Sequence, residues 1–383
     1  MDGNLEPTVL LEGHEFTVWS VIVTQDGRHV ASGGQDATVR LWDIQTGKLV
    51  HTFIGHEGPV YGLVATSDGR RIFSVSDRDP AVRVWDVEGG TALNTLTPNS
   101  PHTIAIAITP DDCYVITGGD DGKDRVWDIG HSVMARIREQ GAGVYSIAVS
   151  PDGTYLVSGS KRALGRDPTG ILWLRDLDTG ALLHTLHGHK GNVTRLVFTP
   201  ESRFMISGGQ DSDVHIWDVD SGMLLNTLSG HTSAILLLWV SHDGRYLVTG
   251  ANDGTIRVWQ MHGGVLLRTL DHTENVHSLA MSNDGRQLVA GTLEGEIYVW
   301  DFPLGSPWID KIAPRTEEEK VELAAFRMMQ LRKVIGRYET LPMNRLATLL
   351  RFSSVEELED WLLELSDEFP HVRIDGANIV IRK

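Results

Sequence analysis

Residues 13–43 read GHEFTVWSVIVTQDGRHVASGGQDATVRLWD, and variants of this segment recur along the 383-residue chain. Most copies end in a Trp, and these residues are Trp42, Trp85, Trp127, Trp217, Trp259 and Trp300. A further copy fills the long gap after Trp127, where the run LRDLDTG places Arg175 at the Trp position. The chain therefore holds seven units of about 42 residues each, and a fixed period of this length indicates a repeat architecture.

Each unit has the pattern of four short strands. In the run TVRLWD of residues 38–43, alternation places Val39 and Leu41 on one side of a strand and Arg40 and Trp42 on the other. Asp-Gly and Thr-Gly pairs at regular offsets predict tight turns, because Gly and Asp tolerate positive φ. Helical periodicity is absent through residue 300. Regular strand spacing at this period favours a β-propeller over a sandwich or a barrel.

The composition limits the classes of protein to which the chain can belong. With 34 basic and 51 acidic residues the formal charge is −17, which disfavours broad contact with nucleic acid or anionic membranes. No apolar run approaches the roughly 20 residues that a membrane-spanning helix needs, and the N-terminus lacks a secretory-signal pattern. Cys113 is the only cysteine, so neither an intramolecular disulfide nor a cysteine zinc cluster is expected. These features predict a cytoplasmic protein that does not bind membranes.

The repeated Gly-His pair, Asp-Gly turn and Trp-Asp ending give the chain a family resemblance. Over roughly residues 8–303 it resembles the WD40-repeat proteins, which implies a mainly β fold with a seven-bladed propeller at residues 1–303. Residues 8–11 match the run 49–53 that precedes the next Gly-His pair, and nothing equivalent follows Trp300. The N-terminal segment is therefore expected to supply the outer strand of the last blade, which would otherwise have an open edge.

The resemblance also implies a hydrogen-bond network in each blade that joins a His, a Ser or Thr, an Asp and the Trp. The matching residues are His14, Ser32, Asp36 and Trp42; His56, Ser74 and Trp85; His189, Ser207, Asp211 and Trp217; and His231, Thr249, Asp253 and Trp259. These histidines are interpreted as structural, because a buried Asp and His are tolerated when their hydrogen bonds are satisfied. We expect no metal site and no cofactor.

The fourth unit departs most from the pattern. It has Gln140 at the His position, Arg175 at the Trp position and a charged, Gly-rich insertion over residues 161–170. Trp173 lies two residues before Arg175, on the same side of the strand, and is a candidate to replace the lost packing. Units three, four and seven are expected to be the less rigid blades.

After residue 303 the composition changes. Residues 304–315 have the Pro-rich pattern of a linker, and residues 316–383 predict a small α+β domain. Helical patterns cover residues 316–337, about 342–352, and a segment from Ser353 or Ser354 to Pro370; a hairpin follows at residues 372–381. Three helices and a hairpin resemble a winged helix, and the segment is similar to the winged-helix end of PCI-type domains.

Winged helices often bind DNA through the third helix, but here that helix carries seven carboxylates and no Lys or Arg. Those carboxylates would repel phosphate, which argues against direct DNA binding. Basic residues on the first helix (Arg327, Arg332, Lys333 and Arg337) fit a solvated face better than a nucleic-acid patch, and RNA binding is kept as the weaker alternative.

We find no enzyme signature: the chain lacks HExxH, GxSxG and phosphate-loop motifs. The run Ser158-Gly-Ser-Lys161 fits SxxK, but the repeat explains it as a strand end. No catalytic residue is therefore proposed, although a propeller fold by itself does not exclude an enzyme.

Binding of partners is the better-supported interpretation. In WD-repeat propellers partners commonly dock on the narrow face, the end of the disc around the central channel at which the inner strands begin. The resemblance places two sets of residues there: Trp19, Tyr61, Ile104, Tyr145, Thr194, Leu236 and His277 on the inner strands, and Gln35, Arg78, Asp120, Gln210 and Asn252 before the turn Asp. Aromatic residues at such a face suit an interface hot spot. Alternatively, Trp19 and Tyr61 pack sideways between blades.

The sequence thus predicts a non-enzymatic scaffold for protein–protein interaction. Its propeller would bind a peptide or protein, and its winged helix would dock a second partner in a multisubunit assembly. An RNA-associated, ribosome-associated or translation-initiation-like assembly factor is the alternative, and an enzyme is the weakest hypothesis.

Overall fold

In a computed structural model of the chain, the structure describes residues 7–302 apart from 98–101, 141, 161–168, 262 and 272–275. Beyond residue 302 it describes residues 331, 340–342, 346, 358, 361–362, 372–375 and 378–381. The proposed linker at residues 304–315 and most of the insertion at residues 161–170 lie outside the described residues. Within the described ranges, no helix combines the length and the apolar character that crossing a membrane requires.

The described propeller consists of seven four-stranded antiparallel sheets, arranged as blades around a centre. Each blade is named by its place along the chain, and its strands run from the inner to the outer edge. The first four blades are β2 (Val18–Val23), β3 (His29–Gly34), β4 (Thr38–Asp43) and β5 (Lys48–Ile54); β6 (Val60–Ala65), β7 (Arg71–Ser76), β8 (Val82–Asp86) and β9 (Ala92–Leu96); β10 (Thr103–Ile108), β11 (Tyr114–Gly119), β12 (Lys123–Asp128) and β13 (Val133–Glu139); and β14 (Val144–Val149), β15 (Tyr155–Ser160), β16 (Gly170–Asp176) and β17 (Leu182–His189).

The remaining blades follow the same order, except that the last takes its outer strand from the start of the chain. They are β18 (Val193–Phe198), β19 (Phe204–Gly209), β20 (Val214–Asp218) and β21 (Leu224–Leu228); β22 (Ile235–Val240), β23 (Tyr246–Ala251), β24 (Thr255–Gln260) and β25 (Val265–Asp271); and β26 (Val276–Met281), β27 (Gln287–Thr292), β28 (Glu296–Asp301) and β1 (Val9–Glu12).

Strand β1 closes the ring by pairing antiparallel with β28, with Val9 opposite Val299 and Leu11 opposite Ile297. Leu11 is 1% exposed and belongs to a core cluster with residues from the first and the last blade. The outer edge of the last blade is therefore covered by residues nearly 290 positions away in sequence, as the N-terminal pattern predicts. The pairing with β1 leaves no open edge on β28.

The apolar core lies between neighbouring blades rather than at the centre of the disc. In the cluster between the first two blades, Leu41 and Phe53 from the first meet Leu63 and Trp85 from the second. Such close contact depends on small residues: a Cβ on Gly33 would lie 2.6 Å from a methyl of Val60 on the next blade. A Gly near the end of the second strand, present in every blade except the second, thus allows adjacent blades to approach.

Three short strands are described after the propeller: β29 (Thr340–Pro342), β30 (Val372–Asp375) and β31 (Asn378–Ile381). They form one antiparallel sheet in the order β29-β31-β30, and β30 and β31 are the hairpin that the sequence predicts. Pro342, near which the sequence predicts the second helix to begin, pairs with Asn378 as the last residue of β29, and Leu346 within the predicted span is helical.

Candidate functional site

The inner strands surround a cavity of about 450 Å³ at the narrow face. All seven inner-strand residues predicted to face this end line the cavity: Trp19, Tyr61, Ile104, Tyr145, Thr194, Leu236 and His277. Each of them is the extra residue of a β-bulge, because the register with the second strand skips that position in every blade. A bulge interrupts pairing and re-aims a side chain, which explains why one position per blade projects to the centre.

Three aromatic side chains from consecutive blades form an arc on one wall of this cavity, hereafter the aromatic arc. Trp19 lies 4.8 Å from Tyr61 and 4.4 Å from His277 between ring centroids, and it meets His277 edge-on at 89°. Trp19 thus packs sideways against rings of both neighbouring blades, and all three rings also line the cavity.

In the fifth blade the bulge residue is Thr194, a small polar residue, instead of an aromatic one. Thr194 is buried at 7% exposure, and its hydroxyl lies within hydrogen-bonding distance of the carbonyls of Gly208 and Ile235, at 2.9 and 2.7 Å. The side chain of Thr194 therefore joins two blades. The next residue, Arg195, supplies a charged side chain that also lines the cavity.

The second predicted set surrounds the same end of the propeller. Gln35, Asp120, Gln210 and Asn252 are exposed, and the backbone N–H of each donates to a carbonyl just before the inner strand of its blade. In the second blade Asp77 makes this contact, to Pro59. The set lies around the mouth of the cavity, and only Asp120 among its members lines the cavity itself.

One extra residue in the second blade changes which side chains surround the mouth of the cavity. Arg78, which sequence reasoning selected, is the inserted residue: it is exposed and has φ 68°. Asp77 lines the cavity instead, and its carboxylate lies 2.6 Å from Nδ1 of His102 and 3.7 Å from Nε of Arg78. Asp77 and Asp120 thus place two carboxylates on the cavity wall at the second and third blades, with His102 between the same blades as a partner of Asp77.

Three cavity residues were missed from the sequence: Arg195, Asp77 and His102. Arg195 occupies a position at which other inner strands carry a small residue, namely Ser20, Gly62, Ala105, Ser146 and Ser278. Aligning the units at the bulge would have identified it. The one-residue insertion in the second blade was the available signal for Asp77, whereas His102 follows a segment outside the described residues.

The predicted hydrogen-bond networks explain the role of four histidines. In the first blade His14 Nε2 lies 2.8 Å from Ser32 Oγ, and Trp42 Nε1 donates to the same hydroxyl at 2.9 Å. His14 Nδ1 lies 2.9 Å from Asp36. The same contacts occur around His56, His189 and His231, with Asp79 as the carboxylate partner of His56. These imidazoles are enclosed by structural contacts.

Burial and hydrogen bonding change the acidity of these groups. Burial raises the pKa of Asp36, but the hydrogen bonds and electrostatic attraction of His14 and the hydrogen bonds of Thr38 outweigh that effect and hold the pKa below its usual value. Burial lowers the pKa of His56 to about 4, against the opposing influence of Asp79. The imidazole of His56 is therefore neutral near pH 7.

The fourth blade replaces this network with a different one. The β15–β16 register places Trp173 opposite Ser158 and Arg175 opposite Leu156, where the first blade has Arg40 opposite Ser32 and Trp42 opposite Val30. The Arg and the Trp have thus exchanged positions. Trp173 is 7% exposed, so it fills space in the blade as the sequence suggests.

The polar part of the replacement network crosses between the third and fourth blades. Asp124 on β12 accepts hydrogen bonds from Ser158, at 2.5 Å, and from Gln140. Arg175 donates to Gln140 Oε1 at 3.0 Å. Asp124 is fully buried, and burial raises its pKa to about 6 despite these hydrogen bonds.

One group of described residues has the composition of a metal site. His189, Asp211 and His215 each offer one ligand atom, and these atoms lie within 4.8 Å of one another. Both nitrogens of His189 are already hydrogen-bonded, to Asp211 and to Ser207. A metal ion would have to break the network that recurs in three other blades, so the arrangement fits a structural role better.

Comparison with known proteins identifies the repeat. Seven segments match the family model described as WD domain, G-beta repeat: residues 5–43, 47–86, 90–128, 132–173, 180–218, 222–260 and 264–301. Each match begins near an outer strand and ends at the third strand of the next blade, so sequence repeat and structural blade are offset by one strand. This offset is why β1 belongs to the last blade.

Two curated proteins illustrate the similarity. Small ribosomal subunit protein RACK1 of Caenorhabditis elegans is 33% identical over 217 residues, which cover 55% of this chain and 63% of that protein. WD repeat-containing protein SL1-17 of Schistosoma mansoni is 26% identical over 206 residues, covering 54% of this chain and 52% of that protein. The chain spans less than two thirds of the length of either relative. The seven family matches and the seven four-stranded blades show that the chain belongs to the WD-repeat family.

Proposed function

We propose that the protein is a non-enzymatic interaction scaffold whose propeller binds a peptide or protein segment in the cavity at its narrow face. The aromatic arc carries this proposal, because large aromatic side chains in a concave site supply most of the binding energy in many interfaces. Polar and charged residues at the mouth, such as Gln35 and Asn252, would orient the partner.

The shape of the cavity suits an inserted side chain or a chain end. Its walls combine apolar residues (Ile104 and Leu236) with aromatic and charged ones, which is typical of a site that binds an amphipathic segment. These groups are carried by hydrogen-bonded strands rather than by long loops, so little conformational entropy would be lost on binding.

Affinity capture with the full chain tests this proposal. A variant with Trp19→Ala and Tyr61→Ala should lose the proteins that the wild type retains, whereas Leu93→Ala with Leu225→Ala should retain them. Leu93 and Leu225 are exposed on outer strands, away from the cavity. Thermal unfolding of each variant verifies folding. Identical partners for the wild type and the Trp19/Tyr61 variant would contradict the proposal.

We also propose that residues 316–383 form a winged-helix-like domain that docks a second partner. A strand, β29, precedes the hairpin and pairs with its second strand, which is consistent with that topology. Leu331, Leu346 and Leu358 are helical and buried, as expected for helices covering such a sheet. Loss of a subset of captured partners after deletion of residues 316–383 would support this role, and an unchanged set would count against it.

Association with the ribosome is a second candidate function. It is supported by the similarity to a small ribosomal subunit protein, which comes from the propeller repeats. Co-sedimentation of the full chain with small ribosomal subunits in a sucrose gradient would test it, and migration only with free protein would count against it.

A further inference from the structure

Arg195 departs from the pattern of the seven inner strands. Arg195 occupies the position directly after the bulge. Five other blades carry Ser, Gly or Ala at this position, and the blade of β22–β25 carries the buried Leu237. In the fourth and last blades the small residue is a Ser whose hydroxyl donates to the backbone of the next blade. In the fifth blade Thr194 makes the equivalent contact. Arg195 is therefore not needed for that contact and projects to the cavity.

The guanidinium of Arg195 is held in place by neutral acceptors. Its Nε donates to the carbonyl of Leu236 at 2.7 Å, and Nη1 donates to the carbonyl of Thr194 at 2.8 Å. These two hydrogen bonds fix a planar group, so the edge that bears Nη2 has a defined orientation. A planar, oriented guanidinium is suited to recognise a carboxylate.

The charge of Arg195 has no counter-ion within the described part of the chain. No carboxylate of the described residues forms an ion pair with it, and Asp77 is engaged by His102 and Arg78. Burial lowers the pKa of Arg195, and burial together with the charge of Arg195 lowers the pKa of His277. A cation in a sheltered site without a partner is unfavourable, and an incoming anion would relieve that cost.

A second donor in the same cavity is also unsatisfied. The indole Nε1 of Trp19 is buried and has no acceptor among the described residues. Trp19 contacts His277, which lies within electrostatic reach of Arg195. The aromatic arc therefore adjoins the region in which an anion would bind.

We propose that this cavity recognises a carboxylate of the partner peptide, with Arg195 as the specificity-determining cation. This inference rests on the proposed function and adds the chemistry of the ligand. A carboxylate fits better than a phosphate, because Arg195 is the one permanent cation among the described residues that line the cavity, whereas Asp77 and Asp120 line it at the second and third blades. Phosphate recognition generally uses several cations, and the carboxylates of Asp77 and Asp120 in the same cavity would repel a dianion more strongly than a monoanion.

Small model compounds test the proposal directly on the full chain. The probes are the N-acetyl methylamides of glutamate, glutamine and phosphoserine, and the readout is the NMR signal of the Trp19 indole N–H, assigned with Trp19→Phe. The glutamate derivative should give a saturable shift with a dissociation constant on the order of 10 mM. The glutamine derivative, which is neutral and nearly the same shape, should bind at least about fivefold more weakly.

Two variants locate the effect. Arg195→Gln should weaken the glutamate derivative by at least about tenfold. Arg286→Gln, in the turn after β26 at the opposite end of the disc and 70% exposed at its side chain, should leave binding unchanged. The comparison of glutamate with glutamine on the wild-type chain needs no variant, so it remains decisive if Arg195→Gln does not fold.

Several results would overturn the inference: no saturable shift up to about 100 mM glutamate derivative, equal binding of glutamate and glutamine, or equal binding by the wild type and Arg195→Gln. Binding of phosphoserine about tenfold tighter than glutamate would equally overturn it, in favour of a phosphate site. Partner capture that depends on Trp19 and Tyr61 but not on Arg195 would leave the proposed docking intact and reject the carboxylate alone.

Discussion

Trp19 and His277 meet edge to face, 4.4 Å apart, and join the first blade to the last at the mouth of the central cavity. The same junction is closed by the hydroxyl of Ser278, which donates to the carbonyl of Val18 at 2.9 Å, and by β1 at the outer edge. The junction between the first and last blades and the proposed binding site therefore share residues. Stability of the closure and shape of the cavity should respond together to changes at this place.

Removal of the closing strand should weaken the whole propeller. Deletion of residues 1–12 exposes the edge of β28 and removes the buried Leu11, whose burial alone contributes about 2 kcal/mol. We expect the melting temperature to fall by about 5 °C or more. Deletion of residues 1–6, which leaves β1 in place, is the control. Equal melting temperatures for the two deletions would contradict a role of β1 in closure.

The shared hydroxyl of a blade network should be sensitive to removal. Ser32 Oγ contacts both His14 and Trp42 in a fully buried site, so Ser32→Ala leaves two polar groups without a partner. We expect the free energy of unfolding to fall by about 2–4 kcal/mol. Ser32→Thr should retain most of the stability, because Thr249 makes the same two contacts in the sixth blade. A loss below about 0.5 kcal/mol for Ser32→Ala would show that the hydroxyl matters little.

The buried carboxylate of Asp124 should cost stability at neutral pH. Burial raises its pKa to about 6, above its usual value of 3.8, so the folded state favours the protonated form. Its contribution is therefore fully present below pH 4 and is lost as the pH rises through 6. The stability gained by Asp124→Asn should increase by up to about 3 kcal/mol between pH 4 and pH 7.5, as measured by urea unfolding.

Asp121 provides the matched control for this experiment. Its hydrogen bond and ion pair with Arg125 outweigh burial and lower its pKa. Asp121→Asn should therefore lose stability relative to the wild type as the pH rises, which is the opposite trend. A pH-independent effect of Asp124→Asn would mean that the carboxyl group titrates normally.

His215 should make the protein sensitive to mild acid. Burial and the neighbouring His189 lower the pKa of His215 to about 4, whereas an unfolded His titrates near 6.5. The unfolded state then binds more protons, so the free energy of unfolding should fall as the pH drops from 6.5 to 4, by up to about 3 kcal/mol from this group. His215→Arg should reduce that fall, because Arg40, Arg83, Arg125 and Arg257 occupy the same position in other blades.

A second substitution separates titration from charge pairing. His215→Gln removes the titrating group without adding a cation near Asp211, so its pH slope should resemble that of His215→Arg while its stability is lower. Urea unfolding at pH 7, 6 and 5 measures both quantities. A wild-type slope in either variant would show that His215 does not contribute.

Much of the architecture could be predicted from local pattern. Trp42 and its equivalents repeat at a fixed spacing, and so do the His–Ser–Trp networks. The offsets are fixed because each blade packs against its neighbours in the same way. The closing role of residues 8–11 also follows from the repeat, since the sequence pattern of an outer strand occurs before the first unit and is not repeated directly after Trp300. The seven bulge positions carry the same periodicity.

Other features depend on contacts between blades, which no single repeat encodes. Arg195 projects to the cavity because Thr194 is taken up by a hydrogen bond to the next blade, and Asp124 serves Ser158 across a blade boundary. Periodicity reports which residues are equivalent, so it predicts strands and turns well. Periodicity does not predict the replaced network of the fourth blade or the projection of Arg195, because the compensating atoms come from neighbouring blades that only the folded ring brings within hydrogen-bonding distance.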